Sequence, residues 1–216
     1  MELPLFPLNT VLFPGATLPL HIFEERYKQM IGECIEEGRP FGVLLIRSGV
    51  EAGGPAEPFD VGTTARIEQV ERLDDGKMNL LCTGGERFRL LRTLDGAPYM
   101  RGEIEFIETP DEHDSEALDL AAEAGALFAE YVRLYLALTN QWSRSMALPG
   151  DPDALADFIA ARMPVEAGVK QALLEELSAK RRLAAEKEML GEAIRQLTAE
   201  VEAARAMRWY GFAVMN

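Results

Sequence analysis

The chain has 216 residues, 48% of them hydrophobic, and 36 acidic against 22 basic side chains give a net charge of -14. That length holds one large domain or two small ones with a sizeable core. The acidity is spread evenly over both halves, which disfavours nucleic acid as a partner, since binding it needs a basic face that displaces counterions. No apolar run nears the roughly 20 residues that cross a bilayer. No basic segment followed by an apolar stretch opens the chain, and two cysteines fit a reducing compartment. The expectation is a cytoplasmic protein with no membrane partner.

The opening run, Leu3-Pro4-Leu5-Phe6-Pro7-Leu8, alternates apolar residues with prolines and stops at Pro14-Gly15. Proline lacks the backbone N–H, so Pro4 and Pro7 predict an edge strand. Pro14-Gly15 suits the two central positions of a type II turn. Strands are predicted near Glu2–Leu5, Thr17–Ile22, Phe41–Arg47, Thr63–Leu73, Met78–Cys82, Arg87–Thr93 and Met100–Ile107, with turns at Asp74–Lys77 and Asp95–Pro98. One helix, about Glu24 to Glu37, stops at Gly38 and turns Phe23, Tyr27, Ile31 and Cys34 to one apolar face. Cys34 and Cys82 read as buried thiols, because neither has a second ligand at metal-binding spacing.

Thr109–Ser115 is polar, contains Pro110 and reads as a linker between a β-rich region, 1–110, and a helical region, 111–216. Leu120, Leu127, Tyr131, Leu134 and Leu138 recur at three- and four-residue steps and form one helical stripe. Asp151-Pro152 is a helix start, with Asp151 as cap and Pro152 at the first position. A last helix, about Ser178 to Met207, carries the seam Leu183, Leu190, Ile194, Leu197 and Val201, with Lys180-Arg181-Arg182 on its solvated side. The seam is expected to pack on the chain's own 116–142 helix. The closing Trp209–Met215 is apolar and is expected to dock in a groove of this or a neighbouring molecule.

The opening run and its turn, Phe41–Ile46, Val61–Ile67, Gly84–Leu90, and the helical pair Leu155–Ala161 and Lys170–Glu175 occur in an order that resembles the N-terminal substrate-binding domain of Lon proteases, over about residues 2 to 200. The resemblance implies an α+β fold: a PUA-like β pseudobarrel lobe followed by a helical bundle lobe that ends in a long helix. It also implies a stand-alone, non-catalytic module that binds peptides or partly unfolded proteins, serving protein quality control or delivering clients to a protease or chaperone. The ATPase and serine-lysine protease modules of a full Lon are not in the chain. No Gly-x-x-x-x-Gly-Lys-Ser/Thr phosphate loop occurs, and the glycine cluster Gly49–Gly54 lacks the lysine.

No catalytic residue, cofactor or metal is expected. His21 lies beside Glu24 and Glu25, but a metal site or proton shuttle needs further convergent ligands, and His113 sits in the linker. Ser143 and Ser145 with Lys170 or Lys180 imitate a serine-lysine dyad without an oxyanion-hole motif. The expected peptide-binding residues are Leu12 and Phe13, before the Pro14-Gly15 turn, and Phe59, after the loop Pro55–Pro58. Two other readings stand: a PUA-like RNA-binding protein, which rests on the PUA-like fold alone, with Arg87, Arg89, Arg92 and Arg101 as a local patch on the sheet, and a peptidase-associated enzyme subunit. The bland reading of those arginines is cross-strand pairing with Glu86, Glu103 and Glu105.

Overall fold

The computed structural model describes residues 1–51, 53–54, 56–110, 112–139, 141 and 146–214, with side chains as far as residue 204. Seven strands, β1 (Glu2–Leu8), β2 (Thr17–Ile22), β3 (Phe41–Gly49), β4 (Ala56–Pro58), β5 (Val61–Arg72), β6 (Met78–Leu94) and β7 (Arg101–Phe106), form one mixed sheet. The helices are α1 (Glu25–Glu37), α2 (Ser115–Thr139), α3 (Pro152–Arg162), α4 (Ala167–Glu175) and α5 (Ala179–Val214). Two compact units result. The first is Met1–Pro110 with Ala160–Leu177, and the second is Asp111–Ile159 with Ser178–Asn216. The α+β class agrees with the expectation, but the segment carrying α4 folds with the strands and not with the helical half.

In the first unit, β6 is the long central strand. It pairs with β5 along most of its length, and on its other side with β2 and then with β7. The pairings β1–β7, β7–β6, β6–β5 and β5–β3 return to β1 through a parallel β1–β3 pairing. The expected pseudobarrel is therefore a mixed sheet whose ladders form a circuit, with β2 and β4 attached. The sequence reading split β6 at Gly84-Gly85, whereas the structure runs one strand through both. A Cβ on Gly84 would lie 2.1 Å from the Phe13 carbonyl oxygen, so the glycine marks close backbone approach and not a strand end.

The prolines of β1 are tolerated for a reason other than the expected edge position. Glu2–Pro4 pair with β7 and Leu5–Leu8 pair with β3, so β1 changes neighbour between its two prolines. Each proline thus has one strand beside it, and its missing N–H breaks no ladder on the other side. The Pro14-Gly15 turn forms as read: Gly15 has φ 71°, and the Ala16 N–H donates to the Phe13 carbonyl at 3.1 Å. Helix α1 closes at Gly38 and buries Tyr27, Met30, Ile31 and Cys34. Phe23 is not on that face. It precedes the extended cap residue Glu24, falls out of helical phase, and is 50% exposed.

Strand and helix residues Phe6, Leu8, Ile22, Tyr27, Met30 and Phe41 build the larger core, and Leu3, Leu5, Leu44, Phe88 and Ile104 build a second one. Helix α4 is tied to this unit by buried polar bonds. Gln171 donates to the Val61 carbonyl at 3.0 Å, and the Arg87 Nε–H donates to the Leu174 carbonyl at 3.1 Å.

In the second unit, α2 packs against α5. The buried face of α2 is Ala117, Ala121, Ala124, Gly125, Phe128, Tyr131 and Leu134, so Tyr131 and Leu134 of the expected stripe are core while small residues fill the rest. Small side chains let two helices approach closely, which a reading weighted toward leucine overlooks. Leu183, Leu190 and Val201 of the α5 seam are buried. Arg182 was expected on the solvated side of α5 and is fully buried instead, paired with Asp153 and Asp157. The local helix signals are where expected. Asp151 accepts from the Ala154 N–H at 2.8 Å, and Ser178 accepts from the Arg181 N–H at 3.3 Å as Glu112 takes the Lys180 N–H at 2.9 Å.

Candidate functional site

Leu12 is 3% exposed and Phe13 is fully buried. Both had been expected to face outward where strand geometry ends. The turn instead folds back onto β6, with the Gly15 N–H on the Gly84 carbonyl at 2.9 Å, and this drives Leu12 and Phe13 inward. They are core residues and offer no binding surface. Phe59 is half-buried, its backbone N–H bonded to the Leu45 carbonyl and its ring under the Arg47 guanidinium at 4.8 Å. The three residues share none of the cavities described here.

The sequence reading missed the apolar margin of β2. Leu18, Leu20 and Ile22 face the core, while Thr17, Pro19 and His21 are exposed. His21 holds Asn79 across the ladder through Nδ1 and Oδ1 at 2.8 Å, and its ring stacks with Phe23 at 6.1 Å between centroids. His21 is thus structural, as expected, and it props an exposed aromatic ring. Beside the strand lies a cavity of about 280 Å³ with Phe6, Leu8 and Tyr27 among its lining residues. Tyr27 stacks on Phe6 at 4.0 Å and carries the Arg26 guanidinium on its ring, and burial pushes its phenol pKa up. Among the described residues the charged groups lining this cavity are Glu24, paired with Arg26 at 3.0 Å, and Glu51, which accepts the Asn9 N–H at 2.9 Å. The only sequence signal for the site was a bulky aromatic residue just ahead of a helix cap.

Two further cavities of the first unit are more polar. One, about 500 Å³, lies by Arg26, Tyr27 and Tyr99, whose phenol donates to Glu33; burial and this bond push the Tyr99 pKa up to about 12. The other, about 490 Å³, is bordered by Arg39 and Arg66, which are paired with Glu37 and Glu68. Cys34 and Cys82 are buried and free, and burial raises their thiols to about 11 and about 12, so neither is a ready nucleophile.

Of the four arginines expected as an alternative RNA patch, one is buried and three lie along the β6–β7 ladder against carboxylates. Arg87 is buried, Arg92 pairs with Glu103 at 2.6 Å, Arg101 pairs with Glu2 at 2.7 Å, and Arg89 stands opposite Glu105 in the ladder. Among the described residues no cluster of His, Cys, Asp and Glu has metal-binding geometry, and no helix is long and apolar enough to cross a membrane. Ser143 and Ser145 lie outside the described residues, as do the side chains of Trp209–Met215, whose backbone continues α5 to Val214.

A mixed sheet of seven strands, joined in sequence to helices that end in a long final one, is the arrangement of a known binding domain. The family described as "ATP-dependent protease La (LON) substrate-binding domain" matches residues 2–192. The chain belongs to that family. It is 30% identical over 186 residues to Lon protease 2 of Myxococcus xanthus, covering 84% of this chain and 22% of the relative. It is 28% identical over 177 residues to Lon protease of Escherichia coli K12, covering 81% and 23%. The chain thus spans under a quarter of the length of these relatives. The solved Lon N-terminal domain protein from Xanthomonas campestris is similar at TM-score 0.64 and 32% identity, with 86% of this chain and 96% of that one covered. The N-terminal domain of Mycobacterium avium complex Lon protease shares the fold at TM-score 0.66 and 20% identity, covering 88% and 98%.

Proposed function

We propose that the chain captures peptides or partly unfolded proteins without catalysing a reaction, in the cytoplasm, and serves protein quality control beside a protease or chaperone. Membership of a substrate-binding family supports this, and one observation carries it: Phe23 stands 50% exposed at the mouth of a cavity with an apolar floor. An exposed ring next to a partly formed pocket suits apolar segments that folded proteins keep inside. Phe59, under Arg47, is a second contact in this reading. Neither buried thiol nor any described acid–base pair offers a nucleophile, so no peptide or ATP turnover is assigned to this chain.

The test compares three serine variants in a binding assay with reduced, unfolded lactalbumin. Phe23→Ser and Phe59→Ser should each weaken binding by about tenfold, the worth of one apolar ring, while the melting temperature stays within a few degrees. Phe13→Ser should instead lose about 3 kcal/mol of stability, as removal of a core ring does. Unchanged affinity in both Phe23→Ser and Phe59→Ser would overturn the assignment of these rings.

A further inference from the structure

We propose that the occupant of this site is an extended polypeptide segment that pairs as an added strand with the free side of β2, carrying an apolar side chain into the cavity and a lysine or arginine beside it. This rests on the capture function proposed above and specifies its substrate. Among the described residues, β6 is the only strand that pairs with β2. The Gly84 N–H donates to the Ala16 carbonyl, and the register runs unbroken from Thr17↔Thr83 to Ile22↔Met78. In an antiparallel ladder the hydrogen-bonded pairs alternate, so Leu18, Leu20 and Ile22 bond to β6 while the backbone groups of Thr17, Pro19 and His21 point away from it.

The close His21–Asn79 side-chain bond agrees with that phase, because side chains meet most closely in the pairs that do not exchange backbone bonds. The open side therefore offers the N–H groups of Thr17 and His21 and the carbonyls of Thr17, Pro19 and His21. Pro19 falls at an outward position, where its missing N–H costs the sheet nothing and discourages pairing between copies. The remaining groups still accept a strand. Main-chain bonds of this kind are indifferent to sequence, which suits a domain that must take many clients.

The cavity lies along this same margin, with Pro19 and His21 on its wall and Phe6, Leu8 and Tyr27 behind them. Side chains of an added strand alternate, so every second one faces the cavity. Charge selects among such segments. Of the lining carboxylates Glu24 is already paired with Arg26 at 3.0 Å, which leaves Glu51 as the selecting charge in a chain that carries -14, so a cationic residue in the segment is complementary and an acidic one is repelled.

The test measures anisotropy of a fluorescent peptide of about ten residues, alternating valine and threonine around a central leucine with a lysine on each side. The protein is the full chain, its His21→Pro variant, which deletes an outward N–H, and His21→Ala, which keeps it. Both variants lose the imidazole that props Phe23, so the N–H is read from their difference: His21→Pro should bind about tenfold more weakly than His21→Ala. With the protein unchanged, N-methylation of alternate peptide amides should also weaken binding by about tenfold, and so should exchanging both lysines for glutamate.

Affinity indifferent to methylation overturns strand pairing and points to a folded or helical occupant, while the capture function stands. Indifference to lysine-to-glutamate exchange overturns the charge preference. Failure to bind this peptide while reduced lactalbumin still binds overturns the substrate class alone. Failure to bind either one removes the capture function with it.

Discussion

Replacing Arg182 with alanine is expected to remove about 3–5 kcal/mol from the stability of the helical unit, enough to leave much of it unfolded. The guanidinium is fully buried and bridges Asp153 and Asp157 of α3, the latter itself 1% exposed. A buried ion pair stabilises only modestly against an apolar substitute. Deleting one partner is far more costly, because the carboxylate of Asp157 then loses the cation that justified its burial. Urea unfolding followed by far-ultraviolet circular dichroism reads the effect. A loss below about 1 kcal/mol would place Arg182 among ordinary surface pairs.

Glu186→Gln should act in the opposite direction and only at higher pH. Glu186 is fully buried one turn after Arg182, and among the described residues neither carboxyl oxygen has a hydrogen-bond partner. Burial pushes its pKa up to about 9; Arg182 opposes the rise and Asp157 adds to it. In the unfolded chain a glutamate releases its proton near its ordinary pKa of about 4.3. Between about pH 5 and about pH 9 the folded state therefore holds a proton that the unfolded state has lost, and stability falls as pH rises. The slope is on the order of 1 kcal/mol per pH unit. Glutamine cannot ionise, so the variant's profile should lack this slope. It should match the parent near pH 5 and exceed it by on the order of 3 kcal/mol near pH 8. Parallel profiles for parent and variant would show that Glu186 is ionised in the fold.

These two residues also show where sequence reading stops. Signals confined to a few neighbouring residues were legible: the Pro14-Gly15 turn, the Gly38 stop and the Asp151 cap each follow from local backbone chemistry. The α5 seam was legible as leucines, but Arg182 and Glu186 occupy the same stripe and carry charges that read as solvated. Their burial depends on α3, which comes earlier in the chain and supplies Asp153 and Asp157. Leu12 and Phe13 failed as binding residues for a similar reason, since the contact that buries them is made by Gly84, far along the chain.

The fold class was carried by ordered strand and helix segments that any one motif would have left open. Helix α4 was visible as a helix, yet its attachment to the strands rests on Gln171 and Arg87 reaching single backbone carbonyls. No hydrophobic pattern encodes such bonds. The candidate site was least legible of all. It consists of an unpaired strand margin and of Phe23, which helical periodicity had assigned to the buried face of α1. Its exposure follows from Glu24 being extended, so that the helix begins two residues after the ring.

The central claim is that this chain recognises polypeptide because it is unfolded. Equilibrium binding of native, disulfide-bonded lactalbumin and of its reduced form, with the thiols blocked by neutral carbamidomethyl groups, tests it directly, in the absence of nucleotide. The account predicts saturable binding of the reduced form and none of the native form at the same concentrations. Equal binding of the two forms, or binding of neither, would contradict it.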